Sequence, residues 1–194
     1  MDAMPPMPPF GETWAVLYPE KQAKEGAAVA EQAVREYLNG LGLGDCWQQY
    51  PGSCATVEEA AQQLGTQPGA VGKTICIPDR SGEERCVLIV TAGDRKLDNQ
   101  KFRQAFGFRP GMLPAQQVED CVGHPPGGVC PFALPQGVRV YLDASLRGFD
   151  RVYTAGGGTQ SLVGLRPDQL EQASGSLGWV DVSRPKDEKK EETK

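Results

Sequence analysis

Two runs of apolar and β-branched residues near the middle of the chain constrain the fold most strongly. Lys73 to Ile77 and Arg85 to Thr91 are separated only by a polar stretch, DRSGEE, of a kind typical of turns. This spacing predicts a hairpin, or at least two adjacent strands. Both runs are short and mostly apolar, so we expect the strands to be buried.

Helical and strand-like segments surround this hairpin. Residues from Ala27 to Leu38 carry apolar side chains at helical spacing, and Gly40 follows as a stop signal. Thr56 and Glu59 form a capping-box pattern for a second helix, which Gly65 ends. Further short helices are predicted over residues 98–106, 114–121 and 167–173, and further strands over residues 138–142 and 151–154.

The irregular order of these elements predicts the fold class. A doubly wound sheet needs a regular alternation of strands and helices, which this chain lacks. We therefore predict an α/β or α+β fold in which helices flank a mixed β-sheet that is curved or barrel-like. The chain has 24 glycines and 16 prolines among 194 residues, which adds turns and disfavours a long helical bundle.

The length of the chain suits one domain. A chain of 194 residues is near the usual size of a single core. Its first residues are rich in proline and methionine, and the segment from Arg184 onward is charged and has no apolar residues. We therefore predict a flexible N-terminus over residues 1–22, a folded domain over 23–180 and a charged, flexible tail over 181–194.

Charge and hydropathy restrict the classes of partner. A net charge of −5 argues against wide coating of duplex DNA, although the basic residues between Arg95 and Arg109 form either a local patch or a solvated helix face. The first ten residues lack the basic start and apolar stretch of a signal peptide. The longest apolar run, Cys86 to Val90, is far too short to cross a bilayer. We expect a cytoplasmic protein that does not enter a membrane.

The cysteines do not form a recognisable metal motif. None of the six cysteines belongs to a CxxC pair, and only His124 could add an imidazole. The pattern disfavours a zinc site, and we predict no metal and no cofactor. Cys76 and Cys86 lie in the strand-like runs, where free cysteine usually packs as a small apolar side chain in a reducing compartment.

Lys73 is the first candidate functional residue. Gly72-Lys73-Thr74 resembles the end of a phosphate-binding loop, but Gln67 stands where that motif needs glycine, and the strand follows instead of preceding. A lysine at the start of an apolar strand can still present its charge to a phosphate or a carbonyl group. An ordinary solvated lysine is the alternative that the residues leave open.

A loop rich in glycine and proline, residues 123–132, is the second candidate. Gly127 and Gly128 remove the side chains that would block a ligand, so main-chain amides could stabilise an oxyanion, while Pro131 stiffens the loop. A purely structural turn is the alternative. Within the loop, Cys130 could act as a nucleophile with His124 as its base, or be simply packed.

The glycine run 156–158 is a third candidate. It follows a predicted strand and could hold a phosphate, or it could only form a tight turn.

Seven motifs follow one another along the core of the chain: TVEEAAQQLG, GKTI, VTAGDRKLD, GHPPGGVCPFAL, VYLDASL, RVYTAGG and LRPDQL. In order and spacing they resemble the YbaK/ProX family of aminoacyl-tRNA deacylases. The same fold occurs as the editing insertion of bacterial prolyl-tRNA synthetases. The resemblance extends over about residues 45–175, the whole predicted core.

The resemblance implies a trans-acting enzyme that hydrolyses the ester between a wrong amino acid and its tRNA, without a metal or a cofactor. The implied partners are the acceptor end of an aminoacyl-tRNA and a prolyl-tRNA synthetase. The residues assigned to the reaction are Lys73, Gly127, Gly128 and Cys130. Those assigned to substrate binding are Thr74, Val129, Pro131, Asp143, Thr154 and Gly156.

The Lys73-Thr74 pair is similar to the YbaK branch of the family, which is associated with Cys-tRNA(Pro). Two features depart from the family pattern. Cys130 stands where serine usually precedes the proline, and TAGGGTQ lacks the lysine-arginine pair that follows the first glycines in YbaK-like members.

An aminoacyl ester is already activated, so its hydrolysis needs mainly positioning and oxyanion stabilisation. Our hypothesis is that Lys73 anchors the terminal adenosine or its phosphate and that amides between Gly127 and Cys130 receive the carbonyl oxygen. Water or the substrate's own thiol then attacks. Two alternatives are a Cys130-dependent esterase or thioesterase, and a non-catalytic tRNA- or synthetase-binding protein of the same fold.

Overall fold

A computed structural model describes residues 20–80 and 85–186. The helices are α1 (Glu20–Gly40), α2 (Val57–Leu64), α3 (Asn99–Phe106), α4 (Ala115–Val122) and α5 (Pro167–Ser174). The strands are β1 (Trp47–Gln49), β2 (Gly72–Pro78), β3 (Cys86–Ala92), β4 (Arg95–Leu97), β5 (Val138–Asp143), β6 (Val152–Ala155), β7 (Ser161–Leu165), β8 (Trp179–Val180) and β9 (Ser183–Pro185).

The strands form two main sheets and a two-stranded ribbon. The larger sheet has the order β2-β3-β5-β8, in which β2 and β3 pair antiparallel while β5 and β8 are added in parallel. The smaller sheet, β1-β7-β6, is antiparallel, and β4 pairs with β9. A parallel bridge between Val71 and Tyr153 joins the two main sheets. The hairpin and the mixed α/β fold with flanking helices are confirmed.

The larger sheet is covered on both faces. Alternation along β2 and β3 places Ile75 and Ile89 on one face, where Phe102 of α3 packs against them; we call this the α3 face. Leu88 lies on the opposite face, where Val122 of α4 packs against it; we call this the α4 face. A strand buried on both faces reads as a continuous apolar run, which explains the sequence of β3.

The capping box of α2 is formed as predicted. Thr56 Oγ1 accepts a hydrogen bond from Glu59 N at 3.2 Å, and the Glu59 carboxylate accepts one from Thr56 N at 3.1 Å. Gly65 ends the helix in a left-handed conformation with φ of 63°. These local bonds fix α2 just before the turn that leads into β2.

The folded region extends past both predicted boundaries. Helix α1 begins at Glu20, within the predicted flexible N-terminus, of which residues 1–19 lie outside the described part of the chain. At the other end, β9 pairs with β4, and Lys186 N donates to Asp94 O at 3.0 Å. The first six residues of the predicted tail are therefore ordered, because this ladder holds them; residues 187–194 lie outside the described part.

No helix within residues 20–80 and 85–186 combines the length and the apolar character needed to cross a membrane.

Candidate active site

Lys73 stands as the second residue of β2 with its side chain exposed. Within the described residues it makes no hydrogen bond and no ion pair, so its positive charge is not neutralised inside the protein. The paired residue on β3 is Thr91, whose hydroxyl is buried and has no partner among the described residues. A cation beside an unsatisfied hydroxyl is an arrangement that can receive a phosphate or a sugar hydroxyl.

Asp143 lies in the same row across the sheet. Val90 pairs with Leu142, so the residues that follow them, Thr91 and Asp143, are neighbours on the α3 face. The Asp143 carboxylate accepts hydrogen bonds from Ser183 Oγ at 2.6 Å and from Val182 N at 2.9 Å. The side chain is buried, and these bonds tie the segment before β9 to the sheet. Both carboxylate oxygens are thus engaged inside the protein, and the structure does not support the predicted role of Asp143 as a direct substrate contact.

Thr74 and Thr154 lie on either side of Gly72, where β2 meets β6. A Cβ atom on Gly72 would lie 3.0 Å from Thr154 Cγ2, so the glycine lets the two strands approach. The hydroxyl groups of both threonines are buried and have no partner among the described residues. A buried unsatisfied hydroxyl costs about 1–3 kcal/mol, which a bound polar group would relieve. Both residues are thus suited to the substrate-binding role that the sequence predicts.

The loop from Gly127 to Pro131 packs on the α4 face. Val129 contacts the apolar cluster of Cys76 and Leu88, so the loop and the Cβ of Lys73 lie on opposite faces of β2. The loop thus lies on the same face of the sheet as Thr74, and not on the face from which the Lys73 side chain leaves the strand.

Hydrogen bonds within the loop decide which amides are free. Gly128 N donates to Pro125 O at 2.9 Å, and Cys130 N donates to His124 Nδ1 at 3.4 Å. The amides of Gly127 and Val129 make no hydrogen bond within the described residues. Between Gly127 and Cys130, the amides that remain available for the predicted oxyanion site are therefore those of Gly127 and Val129. The amides of Gly128 and Cys130 already donate hydrogen bonds within the protein.

The close contacts of Gly128 explain the glycine pair. A Cβ at Gly128 would lie 2.8 Å from the carbonyl oxygen of Gly157, and Gly127 adopts a φ of +84°. Gly127 thus provides a turn that other residues rarely adopt, and Gly128 lets the loop touch the turn after β6.

Helix α1 packs against the glycine run 156–158 and fills the space beside it. A Cβ at Gly157 would lie 2.8 Å from Ala30 O, and Gly156 O accepts a hydrogen bond from Trp47 Nε1 at 3.0 Å. Gly156 N donates to Ser161 O at 2.9 Å. Both main-chain groups of Gly156 are therefore used inside the protein, and the structure does not support its predicted role as a substrate contact. The run serves close packing.

Cys130 and His124 form a buried, uncharged pair. The Cys130 Sγ lies 3.8 Å from His124 Nδ1, and neither residue is more than 2% exposed. Burial raises the pKa of the Cys130 thiol to about 12 and lowers the pKa of His124 to about 4. A shielded thiol that resists ionisation is a poor nucleophile, so the structure disfavours a catalytic role for Cys130.

His124 should make the stability of the fold depend on pH. Its pKa falls from 6.5 in the unfolded chain to about 4 in the fold, so between these values the unfolded chain binds more protons. We expect the free energy of unfolding to drop by about 3 kcal/mol as the pH falls from about 6.5 to about 4. Denaturant titrations across this range measure the drop. His124→Gln should flatten the profile, since the chain has a single histidine; an unchanged slope would contradict the assignment.

The basic residues between 95 and 109 do not form one free patch. Lys101 Nζ pairs with Asp181 Oδ1 at 2.8 Å, and Lys96 Nζ donates to Lys186 O at 2.7 Å. These groups are engaged in holding the C-terminal ribbon.

The arrangement of three features of the site could not be predicted from the sequence. Thr91 lies inside the VTAGDRKLD motif but has no role assigned to it there, and its position beside Lys73 follows only from the strand register. His124 was visible only as a possible base, whereas its contact is with the Cys130 amide. The free amides of Gly127 and Val129 depend on loop hydrogen bonds that no sequence pattern reveals.

The sequence profile of the aminoacyl-tRNA editing domain family matches residues 52–173, which include the candidate site residues from Lys73 to Gly158 but not the partners of Asp143 at 182 and 183. The chain therefore belongs to this family and is of the aminoacyl-tRNA deacylase class, as the YbaK/ProX resemblance implied. Among curated relatives, the uncharacterized protein YwhH of Bacillus subtilis is 41% identical over 136 residues, 70% of this chain and 85% of that protein.

Two further relatives connect the fold with proline-specific systems. The proline–tRNA ligase of Aquifex aeolicus is 28% identical over 103 residues, which are 52% of this chain but only 17% of the ligase. The crystal structure of a proposed trans-editing enzyme for prolyl tRNA synthetase is 26% identical, with a TM-score of 0.71, and the match covers 80% of this chain and 97% of that one.

Proposed function

We propose that this protein is a trans-acting deacylase that hydrolyses the ester of a mischarged tRNA(Pro), with Cys-tRNA(Pro) or the ester of a similar small amino acid as substrate. The observation that carries the proposal is the unpaired charge of Lys73 at the start of β2, in a chain that belongs to the editing-domain family. Similarity to a proline–tRNA ligase and to a proposed trans-editing enzyme supports tRNA(Pro) as the carrier.

In the proposed complex, two parts of the substrate bind on opposite faces of β2. Lys73 and the Thr91 hydroxyl hold the terminal adenosine or its phosphate on the α3 face. The ester reaches the α4 face at the end of the strand, where the free amides of Gly127 and Val129 donate to the carbonyl oxygen. Water, or the thiol of a cysteinyl substrate, attacks the carbonyl carbon, and the ribose oxygen of the tRNA leaves.

The buried hydroxyls of Thr74 and Thr154 are proposed to contact the amino acid. They lie next to Gly72 and lack a partner within the described residues, so hydrogen bonds to them offset the desolvation of a small polar amino acid. An apolar amino acid leaves them unpaired. This difference favours cysteine over alanine as the preferred group.

A protein with a net charge of −5 can carry out this reaction if it binds only the single-stranded acceptor end of the tRNA. Few phosphates then need neutralising, and binding stays modest and sensitive to salt. A prolyl-tRNA synthetase that hands over the mischarged tRNA is the proposed second partner. A cytoplasmic location belongs to the same proposal, because aminoacyl-tRNA is made and used where translation takes place.

A panel of mischarged tRNAs tests the proposal. The protein is incubated with Cys-tRNA(Pro), Ala-tRNA(Pro) and correctly charged Pro-tRNA(Pro), and release of the amino acid is followed. We expect the cysteinyl ester to be cleaved fastest and the prolyl ester to survive. Cleavage of the prolyl ester at the same rate would contradict the proposed specificity, and binding of all three without release would favour a non-catalytic tRNA-binding protein.

Cys130→Ala should leave deacylation nearly unchanged, within about threefold, because the thiol is buried and holds its proton. A thiol-alkylating reagent should likewise leave the native protein active. Thermal unfolding checks that the variant is folded. Loss of activity in a folded Cys130→Ala protein, together with inactivation by the reagent, would support the Cys130-dependent esterase instead.

A further inference from the structure

Three cysteines that are distant in the sequence converge under helix α4. Cys76 comes from β2, Cys86 from β3 and Cys121 from α4, and their sulfur atoms all lie within 4.8 Å of one another. The hairpin register places Cys76 opposite Leu88 and Cys86 opposite Pro78, so both thiols are on the α4 face. None of the three belongs to the editing site.

The spacing of the sulfur atoms suits one metal ion. Three thiolates around a single ion at a metal–sulfur distance of about 2.3 Å are separated by about 4.0 Å when the ion lies in their plane. Small rotations of the side chains would close the remaining gap. Cys76 and Cys86 are buried, whereas Cys121 is half-buried and offers a route for an ion from solvent.

The three thiol ligands and their apolar neighbours favour a soft metal ion that is stable with three ligands. The cluster lies among the apolar side chains of Leu88, Val122 and Val140, and within the described residues no histidine or carboxylate joins the three sulfurs. Structural zinc is almost always held by four ligands, whereas soft thiolates favour Cu(I), which is stable with three. We propose that Cys76, Cys86 and Cys121 bind one Cu(I) ion per chain.

The proposed site carries a net negative charge that a neighbouring cation partly compensates. Binding of Cu(I) displaces three protons from the thiols, which leaves a copper–thiolate group with a net charge of −2. The Arg85 guanidinium, which donates to Asp120 O at 3.4 Å, lies next to Cys86 and Cys121 in the fold. Its positive charge partly compensates the site, and no redox step is needed.

Competition with a colorimetric Cu(I) chelator tests the proposal on the full chain, reduced and under anaerobic conditions. We expect one Cu(I) per chain to be withdrawn from bicinchoninate, and Cys121→Ser to lower the affinity by at least about tenfold. Cys46→Ser is the matched control, because Cys46 is also a half-buried free cysteine but lies outside the cluster. Failure to withdraw copper, or equal affinity of Cys121→Ser and wild type, would overturn the proposal.

Thermal unfolding gives a second readout that also verifies folding. Cu(I) should raise the melting temperature of the wild type and of Cys46→Ser, but not that of Cys121→Ser, because only a ligand of the folded state stabilises it. Zn²⁺ is added in a parallel experiment. A larger rise with Zn²⁺ than with Cu(I) would overturn the assignment of copper, and no rise with either ion would leave the cysteines as packing residues only.

Discussion

Lys73→Met should lower the rate of deacylation by about 100-fold or more while the protein stays folded. Methionine keeps the length of the side chain but removes the charge that is proposed to anchor the tRNA end, and a misplaced reacting group commonly costs about this factor. The side chain is exposed and makes no bond within the described residues. We therefore expect the free energy of unfolding to change by less than about 0.5 kcal/mol.

Two further variants distinguish the effect of the Lys73 charge from the effect of its side-chain shape and from general electrostatic attraction of tRNA. Lys73→Arg should retain part of the activity, since the charge stays while the geometry changes. Lys101→Met removes a cation that is already bound to Asp181 Oδ1 and Ser183 O inside the protein, and should leave the rate nearly unchanged. Equal losses in Lys73→Met and Lys101→Met would indicate loss of general electrostatic attraction and contradict the anchoring role.

Gly157→Ala should destabilise the protein by about 3 kcal/mol and reduce its activity. The new Cβ would lie 2.8 Å from Ala30 O, and the backbone φ of +97° is rarely adopted by alanine. Relief of the clash requires helix α1 to move away from the turn after β6. Gly128 packs on the same turn, so the substrate loop would be disturbed as well. Denaturant unfolding measures the change in stability.

Gly175→Ala is the matched control for this prediction. Gly175 also has a positive φ, of +58°, but nothing lies within 4 Å of a Cβ built there. We expect this variant to lose only about 1 kcal/mol from backbone strain and to keep its activity. If both alanine variants lost the same stability, the contact with α1 would not be what requires glycine at residue 157.

Elements encoded by neighbouring residues could be predicted from the sequence. The β2–β3 hairpin follows from two apolar runs and a polar turn, and the α2 helix follows from Thr56, Glu59 and Gly65, all within one short segment. The resemblance to known deacylases joins Lys73 and the loop from Gly127 to Pro131, which were already candidates from their residues, into one proposed site. These features depend on local chemistry or on motif order.

Features created by pairing between distant segments could not be predicted. The parallel addition of β5 to β3 and the bridge from Val71 to Tyr153 depend on packing of the whole domain. Asp143 is an example at the level of one residue, because its partners Val182 and Ser183 lie about forty positions away, in a segment predicted as a tail. Distant partners thus explain the error in the C-terminal boundary.

The glycine run 156–158 shows a different limit. A glycine run can mark a close approach to the backbone, but it does not show whether a ligand or another part of the protein makes that approach. Here the occupant is the backbone of α1 at Ala30.

Release of cysteine from Cys-tRNA(Pro) by a small molar fraction of the wild-type protein is the most direct test of deacylase function. We expect many molecules of ester to be hydrolysed per molecule of protein, far faster than the spontaneous reaction and without added metal. Retention of the intact ester on the protein, with no release above the spontaneous rate, would contradict the deacylase and favour a tRNA-binding protein of the same fold.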